Sequence, residues 1–299
     1  MKDSKRYFDP ETIKRISRLE LRSKYIVEGL LSGMHRSPRF GQSVEFRQHR
    51  EYSVGDELRH VDWKVWARQD RLYVKQFEDE TNLNCQLLVD SSASMNYASG
   101  LFSKFEYAAT LACCLAYLVL RQKDKVGCVS FNPESSRRVL LGNRKTQLNE
   151  IANVLDEVAF CTQTAIAEFL MEQARELDRN GLLVVICDVW TLQDGLERAF
   201  KMLRQRGHDV ILMPMVDPDE VDFPFKGPTR FEGLELDGEL QINPEEIRNE
   251  YLALFQQRVN SMRRVCLSNG CDFELIQTSQ PFNVVLSKLL NRRLGTQRR

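Results

Sequence analysis

An α/β fold, with a mostly parallel sheet covered by helices on both faces, is the architecture this sequence predicts. From Cys85 onward, short apolar runs alternate with longer amphipathic stretches, the pattern of strands joined by crossover helices. Those runs are too uniformly apolar for half-exposed strands, so they suit a sheet buried on both faces. The first, Leu87-Leu88-Val89, breaks directly into Asp90-Ser91-Ser92-Ala93-Ser94, a polar loop at the end of a buried strand.

The elements follow in chain order. To about Gly33 the chain reads as helical, with Ile13, Ile16, Leu19, Ile26 and Leu30 at three- and four-residue spacing among Lys and Arg. Gly33 and Arg36-Ser37-Pro38-Arg39-Phe40-Gly41 end it. Val44–Arg47 and Leu72–Phe77 read as short strands flanking a Gly55-Asp56 turn and a Trp-bearing turn of helix near Val61–Arg68. Together these make a small helix-plus-strands accessory module, 1–80, ahead of a main domain, 81–299. In the main domain, strands are expected at Cys85–Val89, Val126–Phe131, Leu182–Cys187, Val210–Val216 and Phe273–Ile276. Helices are expected at Phe105–Arg121, Leu148–Val158, Ile166–Leu177, Leu192–Arg206 and Ile247–Leu267. Thr146 and Thr164 stand where helix N-caps belong, and Asn243-Pro244-Glu245-Glu246 joins an N-cap, a first-position Pro and a Glu three residues on. Asn269-Gly270 supplies a C-cap. Asp217–Gly238, rich in Pro and Asp, interrupts the alternation as an irregular insertion at about 217–243.

Composition narrows the function classes. The 42 basic and 42 acidic residues give no net charge that would favour nucleic acid or an acidic membrane. The charge is uneven, with basic ends and an acidic stretch over 215–250, which suits partner surfaces or solvated faces. The eight cysteines fall mostly in apolar segments with no Cys-x-x-Cys pair, as small core residues of a reducing compartment do. No apolar signal-peptide core follows Met1–Arg6, and the most apolar segment, Tyr107–Leu120, is shorter than the roughly 17–25 residues that span a bilayer. A cytoplasmic protein without a transmembrane segment is therefore expected.

The chemistry converges on oxygen ligands. Asp90, Ser92 and Ser94 follow the first strand, Thr164 opens a helix after Cys161-Thr162-Gln163, and Asp188 ends Leu183-Val184-Val185-Ile186-Cys187. Two carboxylates and three hydroxyls form a hard donor set suited to Mg²⁺, with Mn²⁺ as the alternative, and an open position would accept a carboxylate from a partner. In the second loop Thr162 competes with Thr164 for the ligand role. Each residue also has a plainer reading: Asp90-Ser92-Ser94 as a capped turn, Thr164 as an N-cap, Asp188 as a strand end. His35, His49, His60 and His208 show no ligand spacing. No Gly-x-Ser-x-Gly elbow, phosphate loop or His-Glu-x-x-His helix is present, and Ser92 stands where an aspartyl-nucleophile phosphatase would need its second acid.

Asp90-x-Ser92-x-Ser94, a Thr on a second loop and Asp188 on a third resemble the metal-ion-dependent adhesion site of von Willebrand A domains. Upstream, Gly41, Val44-Glu45-Phe46, Arg50-Glu51-Tyr52, Gly55-Asp56, Arg59, Asp62-Trp63, Ala67-Arg68 and Phe77-Glu78 resemble the signature of the bacterial domain-of-unknown-function family numbered fifty-eight. Asp217-Pro218, Asp222-Phe223-Pro224-Phe225 and Gly227-Pro228-Thr229-Arg230-Phe231 extend the likeness, which runs from about Leu30 to Leu290. The resemblance implies a von Willebrand A-like, Rossmann-like fold and a partnership with MoxR-type AAA+ ATPases in chaperone-like assembly or maturation. One departure is Gln163-Thr164-Ala165, where such sites often read Gly-Thr-Asp. The block Arg50, Glu51, Tyr52, Asp56, Arg59, Asp62 and Trp63 reads either as a salt-bridged turn with packed Trp or as a docking surface for the ATPase. The expectation is a non-enzymatic, metal-dependent adaptor. A structural domain with a degenerate site, or a metal-dependent hydrolase, is the alternative.

Overall fold

The computed structural model describes residues 9–34, 49–51, 73–75, 83–131, 136–160, 166–178, 180–191, 194–234 and 238–296. Contacts divide the chain into one unit of Met1–Ser32 with Leu83–Arg299 and another of Gly33–Asn82. The second unit contains β1 (His49–Glu51) and β2 (Tyr73–Lys75), paired antiparallel with Arg50 opposite Val74. The expected strand at Val44–Arg47 and helical turn near Val61–Arg68 lie outside the described residues.

The larger unit is built on a sheet whose central strand is its first. β3 (Asn84–Asp90) pairs in parallel with β4 (Lys125–Phe131) on one side and β6 (Leu182–Asp188) on the other. β7 (Asp209–Val216) continues beyond β6, and β10 (Asp272–Phe273) and β11 (Ile276–Gln277) both pair in parallel with β7. At the far edge β5 (Ser136–Gly142) runs antiparallel to β4. The chain thus leaves β3 toward β4 and β5, then returns to its other side at β6. That reversal makes the carboxyl ends of β3 and β6 the topological switch point, where α/β sheets open a crevice for ligands.

Alternation along the buried strands assigns the two faces. Leu88, Val129, Val185 and Leu212 share one core cluster with Leu170 of α5 (Ile166–Glu176), Phe200 of α6 (Leu196–Gln205) and Phe255 of α8 (Pro244–Ser268). The intervening residues, among them Leu87, Cys128 and Val184, face the other way, where α3 (Lys104–Arg121) crosses β3 and β4 and packs on α4 (Gln147–Asp156). Helices α1 (Pro10–Arg15) and α2 (Leu19–Met34) join α3 through Lys14 Nζ, 2.6 Å from Glu106 Oε1, and Arg22, which donates to Thr110 Oγ1 at 3.1 Å. The accessory module expected over 1–80 is therefore divided. Its helical opening belongs with the sheet because Ile13, Ile26 and Val27 are buried in that unit.

Several elements differ from expectation. The single strand expected at Phe273–Ile276 is two short segments, interrupted at Glu274-Leu275. β5 and α9 (Phe282–Thr296) were not foreseen, and the stretch after β7 is not wholly irregular. It contains α7 (Pro218–Asp222) and a hairpin of β8 (Thr229–Glu232) and β9 (Glu239–Ile242). Thr146 makes no side-chain cap bond: its backbone is already helical, and its hydroxyl lies 2.8 Å from Glu150 Oε1. The expected caps of α8 form, with Asn243 Oδ1 accepting from Glu245 N and Gly270 at φ +68° just past the helix end.

Candidate functional site

The loop after β3 is held by its own side chains. Oδ1 of Asp90 accepts the amide of Ser92 at 2.9 Å, closing a tight turn, and Ser91 donates both its amide and hydroxyl to the Phe131 carbonyl at the end of β4. A 3-10 turn, Ala93–Asn96, then brings the Ser92 and Ser94 hydroxyl oxygens to 3.0 Å from each other. Asp90 is completely buried, Ser92 is nearly so, and Ser94 is partly exposed. Asp90 thus closes the turn through its side chain, whereas Ser92 makes no side-chain cap bond, and the two hydroxyls lie side by side.

Asp188 ends β6, the strand beside β3. Its Oδ1 accepts the Lys104 ammonium at 3.0 Å and the Trp190 amide at 3.3 Å. Its Oδ2 is buried and has no hydrogen-bond partner among the described residues. An unpaired buried carboxylate oxygen is costly, so it marks a place where a ligand would be stabilising. The following loop is pinned by Arg258 of α8, which donates to the carbonyls of Val189, Trp190 and Thr191.

Lys104 is the residue that sequence reading missed. It is the first residue of α3 after the Ser103 cap, a position that normally faces water, yet it is only 1% exposed. Its ammonium bridges Asp188 and Glu220 of α7, the latter at 2.8 Å. Burial alone would lower its pKa; Asp188 first and Glu220 second outweigh burial and hold it above the usual lysine value. Burial shifts Glu220 up, against the pull of the lysine. The switch point thus sets two carboxylates, of Asp188 and Glu220, on one ammonium, with Asp188 on the strand next to the Asp90 loop.

Helix α7 ties the insertion to this loop. Asp217 caps it and also accepts the amide (3.0 Å) and hydroxyl of Ser99, while Tyr97 reaches Asp219 at 3.4 Å. Burial, then the neighbouring Asp219 charge, pushes the Tyr97 phenol up to about 12, so it stays a donor. Beyond α7, Phe223 stacks on Tyr251 at 4.3 Å and on Phe231 at 6.0 Å, fastening the β8–β9 hairpin to α8. Asp217-Pro218-Asp219-Glu220 carries a helix-start signal that reveals this capped turn in the sequence. Nothing local reveals its contact with residues 97–104.

The donor set fits a hard cation. Asp188 Oδ2 is available, the Ser92 and Ser94 hydroxyls are adjacent, and every candidate atom is oxygen. Among the described residues, no group of three or more His, Cys, Asp and Glu is disposed to hold a metal, so a cation held here would need the hydroxyls as ligands. The expected second-loop ligand Thr164, with its competitor Thr162, lies outside the described residues, as do Tyr52, Asp56, Arg59, Asp62 and Trp63 of the docking block. Arg50 and Glu51 fall on β1.

Residues 48–260 match a family described as "Protein of unknown function DUF58". The chain is 26% identical over 223 residues to the uncharacterized protein Rv1480 of Mycobacterium tuberculosis, covering 73% of this chain and 69% of the relative. A Mycobacterium bovis protein, Mb1516, also uncharacterized, matches equally. Among solved structures, the conserved hypothetical protein BatB from Bacteroides thetaiotaomicron is 17% identical, with 71% of this chain and 99% of that one covered and a TM-score of 0.45. The SpRpn10 VWA domain is 12% identical, with 70% and 95% covered and a TM-score of 0.42.

Proposed function

The chain belongs to the family described as protein of unknown function DUF58, and from that premise we propose that it is a non-catalytic, metal-dependent protein-binding adaptor. A divalent cation, Mg²⁺ or Mn²⁺, is taken at the β3–β6 switch point by Asp90, Ser92, Ser94 and Asp188, with Thr164 completing the set. When bound, it supplies a positive centre for the carboxylate of a partner. The partner proposed is a MoxR-type AAA+ ATPase, as the sequence resemblance implies, in chaperone-like assembly or maturation in the cytoplasm. The carrying observation is the buried, unpartnered Oδ2 of Asp188 on the strand next to the Asp90 loop.

Each residue has a definite task in this reading. Ser91 anchors the loop to β4, so the Ser92 and Ser94 hydroxyls are presented without further ordering. The hydroxyls bring no charge, which leaves the centre attractive to an incoming acid. Trp190 N and Lys104 hold one oxygen of Asp188 and leave the other available.

Retention of the ATPase by the immobilised protein is expected in Mg²⁺ and is expected to be lost with chelator or in Asp90→Ala. Equal recovery under all three conditions overturns the metal-bridged reading. One observation favours the structural alternative: Lys104 already places a cation on Asp188. Absence of metal binding even with the partner present would select it, whereas metal-dependent turnover abolished by Asp90→Ala would select the hydrolase.

A further inference from the structure

We propose that Lys104 is a resident counter-ion which shares Asp188 with the incoming divalent cation, weakening the metal site so that it fills firmly only when a partner adds its carboxylate. The inference rests on the metal reading above and assigns to this chain a residue that sets the strength of the site.

The position of Lys104 makes a merely structural role uneconomical. Its ammonium is withdrawn from water, and it stands at the positive end of the 18-residue helix α3, where the helix dipole disfavours a cation. Neither term is needed to start the helix, because Ser103 and Glu106 already complete a capping box there. What the ammonium gains is Asp188 at 3.0 Å and Glu220 at 2.8 Å. Asp188 is also the candidate metal ligand whose second oxygen is unpartnered.

Its electrostatic consequence is direct. Without Lys104, the buried carboxyl of Asp188 and the half-buried carboxyl of Glu220 would face one another with no cation between them, and any divalent ion would be strongly attracted. With Lys104 present, part of that attraction is already spent, and the protein is balanced without metal. An incoming metal then meets a like charge across Asp188. A carboxylate from a partner restores the negative charge that Lys104 offsets, so metal and partner strengthen one another reciprocally. Glu220 acts on the opposite side: by drawing the ammonium toward α7, it frees Asp188.

Calorimetric titration of the full chain with Mn²⁺ tests this, comparing wild type, Lys104→Met and Glu220→Gln, with thermal unfolding in chelator alongside. Lys104→Met is expected to lose stability in chelator, as breaking a buried ion pair does, yet to bind Mn²⁺ at least about tenfold more tightly, because a like charge next to a ligand has gone. A purely structural lysine gives the opposite sign, since its loss loosens the loop and weakens binding. Glu220→Gln is expected to weaken binding by about threefold or more, leaving the ammonium wholly on Asp188. It carries the test if Lys104→Met does not fold. Mn²⁺ affinity that is unchanged or weaker in folded Lys104→Met, or unchanged or tighter in Glu220→Gln, overturns the role of Lys104 while the metal site stands. Failure of every protein to bind Mn²⁺ overturns the metal reading itself, and this inference with it.

Discussion

Lys104 and His208 are both buried bases, and their surroundings drive them in opposite directions. Two carboxylates keep Lys104 an ammonium, whereas burial, aided by the nearby Arg206 charge, holds His208 below its usual value of 6.5. In the unfolded chain the imidazole takes up a proton near that value, but in the folded chain it resists. Stability from His208 is therefore present above about pH 6.5 and is lost as pH falls through and below it. Denaturant unfolding at about pH 7.5 and about pH 5.5 should show a smaller acid loss in His208→Leu than in wild type, and equal losses would contradict the assignment. The same contrast explains which residues of the candidate site were legible. Asp90, Ser92, Ser94 and Asp188 stand at the ends of apolar runs, a local signal. Lys104 looks like a solvated first-turn residue, because its two partners lie 84 and 116 positions away.

Among elements, the edge between β4 and β5 departs most from simple pattern. Only Val139 of β5 is buried, so no two-residue alternation announced that strand. The register shifts between Val126 and Cys128, and Gln147 fills the gap by donating to the Val126 and Leu140 carbonyls at 2.8 and 2.7 Å. Gly127 lies in that irregularity because a Cβ there would stand 3.0 Å from the Val139 carbonyl oxygen and 2.5 Å from Gln86 Oε1. Gln86 can turn aside but the backbone cannot. Gly127→Ala should destabilise by about 1–3 kcal/mol in denaturant titration, and a neutral effect would mean that the edge strand yields freely. The β8–β9 hairpin was illegible for a related reason: most of its residues are exposed or only partly buried, and aromatic packing of Phe223 and Phe231 near α8 stabilises it.

For the molecule as a whole, the helical opening and the sheet form one unit although the segment between them forms another. Ile13, Leu19, Ile26, Val27 and Leu30 are at most 5% exposed, and each such side chain contributes about 1.5–3 kcal/mol on burial. Their sum is comparable to the roughly 5–15 kcal/mol that stabilises a typical domain. Removing residues 1–32 should therefore lower the thermal midpoint sharply or yield insoluble protein, and an unchanged midpoint would show that the sheet needs no such cover. Sequence by itself determined which segments are strands and helices in the parallel core and which loop carries the acid and hydroxyls, since periodicity, capping and polarity act over a few residues. Tertiary structure alone decided that β6 lies beside β3, that Lys104 enters the switch point and that α7 fastens onto residues 97–104. The physical reason is that apolar alternation specifies which face of a strand is buried but not which strand becomes its neighbour. Neighbours are selected by chain closure and packing over the whole domain, and the charge balance of the site follows from that selection.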